Sequence, residues 1–112
     1  MLFLIALALL LVIDLPYLSF SHRAYASALP LNGDFVAGGA LAYTAMAIAC
    51  SLAVVPGNKL ASAQHGAVAG ALMYAVYNGT TMATHASYGP ALVVRDLLWG
   101  TLLCGTVSGV IA

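Results

Sequence analysis

The sequence predicts an all-α fold: a four-helix transmembrane bundle with short loops, forming one integral membrane domain over residues 1–112. Three observations carry this expectation. Of the 112 residues, 63% are hydrophobic and only 5% are charged, against roughly 25% charged in soluble domains. Mean hydropathy is +1.04, so three acids and three bases have too much surface to solvate. The apolar residues also gather into four segments near the ~20 residues that a helix needs to cross a bilayer.

The segments fall at about residues 2–20, 35–55, 61–84 and 91–112. A backbone in lipid must satisfy its own hydrogen bonds, which favours helices. The two-residue alternation of a membrane strand is missing. The first segment lacks the basic start and nearby small-residue cleavage site of a signal peptide, so a true transmembrane helix is expected. Between the segments lie SHRAYASALPLNGD, PGNK and HASYGP, rich in residues that break helices and make turns.

Small residues mark the packing faces. Gly66 and Gly70 form one Gly-x-x-x-Gly, and Gly105 and Gly109 form another. Gly79 continues a smooth row from Ala67, Ala71 and Ala75 to Ala83, and Gly100 lies on the fourth segment. Such rows let helix backbones approach closely in lipid. Arg23 and Arg95 lie toward one membrane face and Lys59 toward the other. The positive-inside rule then places both termini on the non-cytoplasmic side.

The polar residues converge in depth. Counted from the face shared by the first and third loops, Asp14, Asn78 and Asp96 each sit roughly 9–12 Å deep. Tyr43 and Thr44 of the second helix reach about that level. Inserting an aspartate at a helix centre costs about 2.5–3.5 kcal/mol on translocon scales, so both acids should turn inward and find donors. Candidate donors are Tyr77, Asn78, Thr80, Thr81 and Trp99. Asp14 with Tyr17, and Asp96 with Trp99, each span one turn, which places an aromatic donor on nearly the acid's own face. Arg95 has two readings: it snorkels to the headgroups, or it bends back toward an acid on another helix. Pro16 removes a backbone donor beside Asp14.

The remaining chemistry-bearing residues predict little. Cys50 and Cys104 lie in apolar stretches and read as small hydrophobes. His22, His65 and His85 fall near helix ends without metal-ligand spacing, so no metal is expected. Tyr17, Tyr25 and Tyr88 fit an interfacial aromatic belt. No nucleophile–base motif, phosphate loop or nucleotide fingerprint occurs, which predicts no enzyme and no cofactor. Zero net charge implies no nucleic-acid partner.

The stretch YAVYNGTTMATHASYGPALVVRDLLWGTLL, residues 74–103, resembles the bacterial family of small predicted membrane proteins called domain of unknown function 2177. The family pattern is Tyr-x-x-Tyr-Asp-x-Thr-Asn on the third helix and Asp-x-x-Trp-Gly on the fourth, with an aspartate and an aromatic on the first. Tyr74, Tyr77 and Thr80 match the third-helix pattern, and Asp96, Trp99 and Gly100 match the fourth. Asp14 with Tyr17 is similar to the first. Asn78 stands where the family has aspartate, and Thr81 where it has asparagine. The resemblance implies a four-helix membrane protein and supplies no activity. The missing carboxylate favours a retained scaffold over a proton relay.

Two functions follow. The first is a non-catalytic accessory or structural subunit of a larger membrane assembly, with lipid and other membrane subunits as partners. The alternative is binding or transport of a proton, ion or small ligand through the Asp14, Asn78 and Asp96 cluster. Both predict a multi-pass integral membrane protein.

Overall fold

The computed structural model describes residues 1–29 and 33–112. It contains four α-helices in chain order: α1 (Leu2–Ala28), α2 (Phe35–Leu52), α3 (Lys59–Thr84) and α4 (Pro90–Ile111). The principal extents are 44 × 25 × 21 Å. Each helix packs against its neighbour in sequence, α4 closes the ring against α1, and α2 also touches α4. The expected four-helix bundle is present.

Helix ends follow local chemistry. Asp34 caps α2 by accepting from the Ala37 N–H at 3.0 Å, and Asn58 caps α3 by accepting from Ala61 at 2.9 Å. Short polar side chains at this position satisfy amides that have no partner inside the helix. The link from α2 to α3 is a tight turn. Pro56 and Gly57 occupy its centre, Gly57 has φ 75°, and the Asn58 N–H bonds the Val55 carbonyl at 3.0 Å. That combination is a type II turn, whose third position favours glycine. Pro90 opens α4 at the position where its missing N–H costs nothing.

One boundary differs from the sequence expectation. The first helix was expected to end near residue 20, yet α1 continues to Ala28. Residues 21–28, SHRAYASA, contain neither Gly nor Pro and are rich in alanine, the best helix former. Leu29 is extended, at φ −134° and ψ 143°, as expected for a residue that precedes a proline. Residues 30–32 of the expected first loop lie outside the described residues. Pro16 sits within α1 and the helix runs on through it.

The α3–α4 pair shares by far the largest interface, and glycine is the reason. A Cβ on Gly66 would strike the Ser108 side chain and the Cys104 carbonyl. One on Gly70 would meet the Gly100 carbonyl and, at 2.8 Å, the Cys104 Cβ. One on Gly100 would enter the Tyr74 ring, and Gly105 and Gly109 face Ala63. Gly79 is a correction to the expected packing set. It has open space around its Cα, and Ala75 and Ala83 beside it are exposed. The smooth row therefore packs only in its first half.

The bundle is divided lengthwise. Toward the α2–α3 turn the interior is apolar: Ala6, Leu10, Met46, Ala47, Cys50, Leu103, Cys104 and Val107 form one cluster. At that end Lys59 Nζ reaches the Ala112 carbonyl at 2.8 Å, a cation set against the carbonyl end of α4. Toward the α3–α4 loop the interior is polar. The exterior is apolar on every helix: Val12, Leu41, Leu72 and Leu98 are 71%, 74%, 63% and 61% exposed. That arrangement suits lipid or protein neighbours and not water. By length and hydropathy α1 and α4 qualify as membrane spans, and α2 is a shorter apolar helix.

Two glycine substitutions separate packing from propensity. Gly70→Ala should destabilise the bundle by about 1–3 kcal/mol through overpacking against α4 backbone. Gly79→Ala should be neutral or stabilising by up to about 1 kcal/mol, because only helix propensity changes. Thermal midpoints in detergent read both, and equal losses at the two sites would contradict the packing.

Candidate functional site

Asp14 and Asp96 are 4% and 7% exposed, and Asn78 is fully buried. The three expected to converge are joined in one network. Asp14 accepts from the Trp99 Nε1–H of α4 at 2.7 Å through Oδ1, and from the Tyr43 hydroxyl of α2 through Oδ2. Asp96 accepts from the Tyr25 hydroxyl of α1 at 2.7 Å through Oδ1, and from the Asn78 amide of α3 at 2.7 Å through Oδ2. All four carboxylate oxygens are used, and the donors come from four different helices.

Two aromatic contacts link the halves of the network. Trp99 stacks on Tyr17 with ring centroids 4.2 Å apart and planes 9° from parallel. The Tyr17 hydroxyl lies 3.4 Å from that of Tyr25. A path therefore runs from Asp14 through the Trp99–Tyr17 stack and Tyr25 to Asp96. Asn78 is satisfied on both sides: its amide also donates to the Tyr74 carbonyl at 2.7 Å, and its oxygen accepts from the Tyr88 hydroxyl. Tyr88 belongs to the α3–α4 loop and is 1% exposed. Burial pushes its hydroxyl above the ordinary phenol range, so it remains a donor across physiological pH.

Several expected roles are reassigned. The donors are not each acid's own-helix aromatic. Trp99 serves Asp14 across the bundle, and Tyr17 supplies a ring face in place of a hydroxyl. Tyr77 is 55% exposed and turned outward. Thr80 and Thr81 donate to the Val76 and Tyr77 carbonyls of their own helix at 2.7 and 2.8 Å, a local bond that competes with longer reach. Thr44 is exposed, whereas Tyr43 reaches Asp14. Tyr25 and Tyr88, expected at the interface, are network members.

Arg95 takes neither expected course. Its guanidinium donates to the Ser21 hydroxyl of α1 at 2.7 Å and lies 5.7 Å from the centre of the Tyr17 ring. Ser87 of the α3–α4 loop donates to the Ala28 carbonyl at the end of α1. The extra turns of α1 thus supply three anchors: Ser21, Tyr25 and Ala28. Their signal was in the sequence, since Ser21, Tyr25 and Ala28 continue the helical face of Ala6, Leu10 and Asp14. Among the described residues no group of three or more His, Cys, Asp or Glu side chains could hold a metal ion.

The model of the family described as "Predicted membrane protein (DUF2177)" matches residues 1–112, the whole chain. The chain belongs to that family. No curated protein and no solved structure matches it. Of the positions carrying the family pattern, Tyr74 lies on Gly100 and Asp14, Trp99 and Asp96 share the network, whereas Tyr77 and Thr80 stand outside it.

The network predicts which hydroxyls matter. Tyr43→Phe and Trp99→Phe each leave a buried carboxylate oxygen without its donor and should cost about 1–3 kcal/mol. Tyr77→Phe should stay within about 0.5 kcal/mol of the parent, as exposed substitutions do. Unfolding of the detergent-solubilised protein measures all three, and a Tyr77→Phe loss as large as the others would overturn the donor assignment.

Proposed function

We propose that this family member is a multi-pass integral membrane protein, with all four helices in the bilayer, that serves as a non-catalytic accessory or structural subunit. In this reading the Asp14–Asn78–Asp96 network is a clamp that fixes helix register. The observation that carries it is the complete use of the four carboxylate oxygens by protein donors. A transport or catalytic acid must exchange partners with water or substrate, whereas a clamp works best when each lone pair is already engaged. The exposed Leu and Val on every helix support contact with lipid or with other membrane subunits. The short α2, about 27 Å long, fits a bilayer core of about 30 Å with slight local thinning.

A second reading has one observation in its favour. Tyr43, which holds Asp14, also borders an open apolar groove of about 380 Å³ between α1 and α2. A proton, ion or small ligand entering from the side of the bundle would meet Tyr43 first.

Three measurements decide between these readings. Native mass spectrometry after mild solubilisation should find a stoichiometric membrane partner; a lone monomer would defeat the subunit role. Parent protein and Asp96→Asn should both leave proton and cation flux in liposomes at the level of empty vesicles, and a parent flux that Asp96→Asn abolishes would favour transport. Thiol labelling of Pro56→Cys and Ala86→Cys should occur from opposite sides of the membrane, and labelling from one side would refute a spanning α3.

A further inference from the structure

The carboxylate network leaves Arg95 without a counter-ion. The chain has three acids. Asp14 and Asp96 spend their four oxygens on Trp99, Tyr43, Tyr25 and Asn78, and Asp34 caps α2. Arg95 instead sits in the seam between α1 and α4. Its Nη2 donates to Ser21 Oγ at 2.7 Å, and its guanidinium carbon lies 5.7 Å from the centre of the Tyr17 ring. Neither partner carries a charge. A guanidinium has five N–H donors, and among the described residues Ser21 supplies its one hydrogen-bond acceptor.

The support beneath the cation is firm. Ser21 is 1% exposed, and the Trp99 stack at 4.2 Å holds the Tyr17 ring. The outer edge of Arg95 is exposed. Arg95 lies in the second turn of α4, about 8 Å from the helix start, within reach of a lipid headgroup. Toward the membrane centre the same helix face continues as Leu98 and Leu102, three and seven residues on. These are 61% and 64% exposed. A fixed cation above about 10 Å of apolar surface matches a molecule with an anionic head and a hydrocarbon tail.

We propose that the α1–α4 seam at Arg95 is a binding site for an anionic phospholipid. Its phosphodiester takes the open edge of the guanidinium, whose planar fork suits phosphate oxygens, and an acyl chain lies along Leu98 and Leu102. The site rests on the reading that α1 and α4 stand in the bilayer. It differs from a freely snorkelling arginine, because Ser21 and Tyr17 hold the cation in place before lipid arrives. Less side-chain freedom is then lost on binding. Arg23 has the same charge and is exposed on α1, with no side-chain bond among the described residues, so it serves as the control.

The test reads Trp99, the single tryptophan of the chain, one turn from Arg95. The full chain is reconstituted in vesicles of equal phosphatidylglycerol and phosphatidylcholine, with one or the other lipid brominated in its acyl chains to quench nearby indole. Brominated phosphatidylglycerol should quench more strongly, by a relative affinity of about five-fold. Arg95→Gln should bring that preference to near unity, and Arg23→Gln should keep most of it. Equal quenching by the two lipids in the parent chain, or equal loss in the two variants, would overturn the proposal. The parent comparison stands whether or not a variant folds. Preference abolished by millimolar inorganic phosphate, but not by chloride at matched ionic strength, would overturn it by assigning the site to free phosphate. Quenching by neither lipid would overturn the membrane placement together with the site.

Discussion

A carboxylate that cannot reach water must take its hydrogen bonds from protein, and Asp14 and Asp96 are both buried among helices clad in leucine and valine. In such surroundings an unpaired acid oxygen carries a desolvation cost of about 1–3 kcal/mol, comparable with the cost of inserting the aspartate at all. The bundle meets this constraint with neutral donors: one indole, two phenols and one amide. Each donor comes from a helix other than the acid's own. Satisfying the acids and assembling the four helices are therefore the same event, and sliding one helix along another would break a bond to a buried acid.

The rest of the architecture divides the work. Where α3 and α4 lack side chains at Gly66, Gly70 and Gly100, their backbones close on one another and dispersion contacts accumulate. Such an interface is tight but only weakly directional along the helix axis. The polar end supplies the direction. Arg95 on Ser21 ties α4 to the extended end of α1, Ser87 on the Ala28 carbonyl ties the α3–α4 loop to it, and Tyr88 on Asn78 holds that loop against α3. Asn78 fits this scheme better than the aspartate expected from the family resemblance. An amide can donate to Asp96 and accept from Tyr88 at once, whereas a second carboxylate would repel the first.

Much of this was legible in the residues. Hydropathy and turn chemistry located four helices, and counting depth brought Asp14, Asn78 and Asp96 to one level before any coordinates. What escaped was who donates to whom. Depth depends on position along one helix, but a donor's identity depends on rotation and on which helices are neighbours. Thr80 and Thr81 look like donors at the right depth, yet their own preceding carbonyls are nearer than any acid. Tyr25 was misplaced for a different reason. Histidine, arginine and serine after Phe20 read as a loop, although nothing in SHRAYASA stops a helix before Pro30. Gly79 shows the same limit for packing: a four-residue row of small residues states what a face permits and not whether a partner covers it.

The pairing of Asp14 with Trp99 is the most exposed point of the account, because it joins α1 to α4 across the bundle and reverses the own-helix assignment. A double-mutant cycle with Asp14→Ala and Trp99→Phe, read by reversible unfolding in detergent, isolates that pair from the cost of each change alone. A coupling of about 0.5–3 kcal/mol is expected. Strictly additive losses would mean that the two side chains do not act on one another, and the clamp would fail with them.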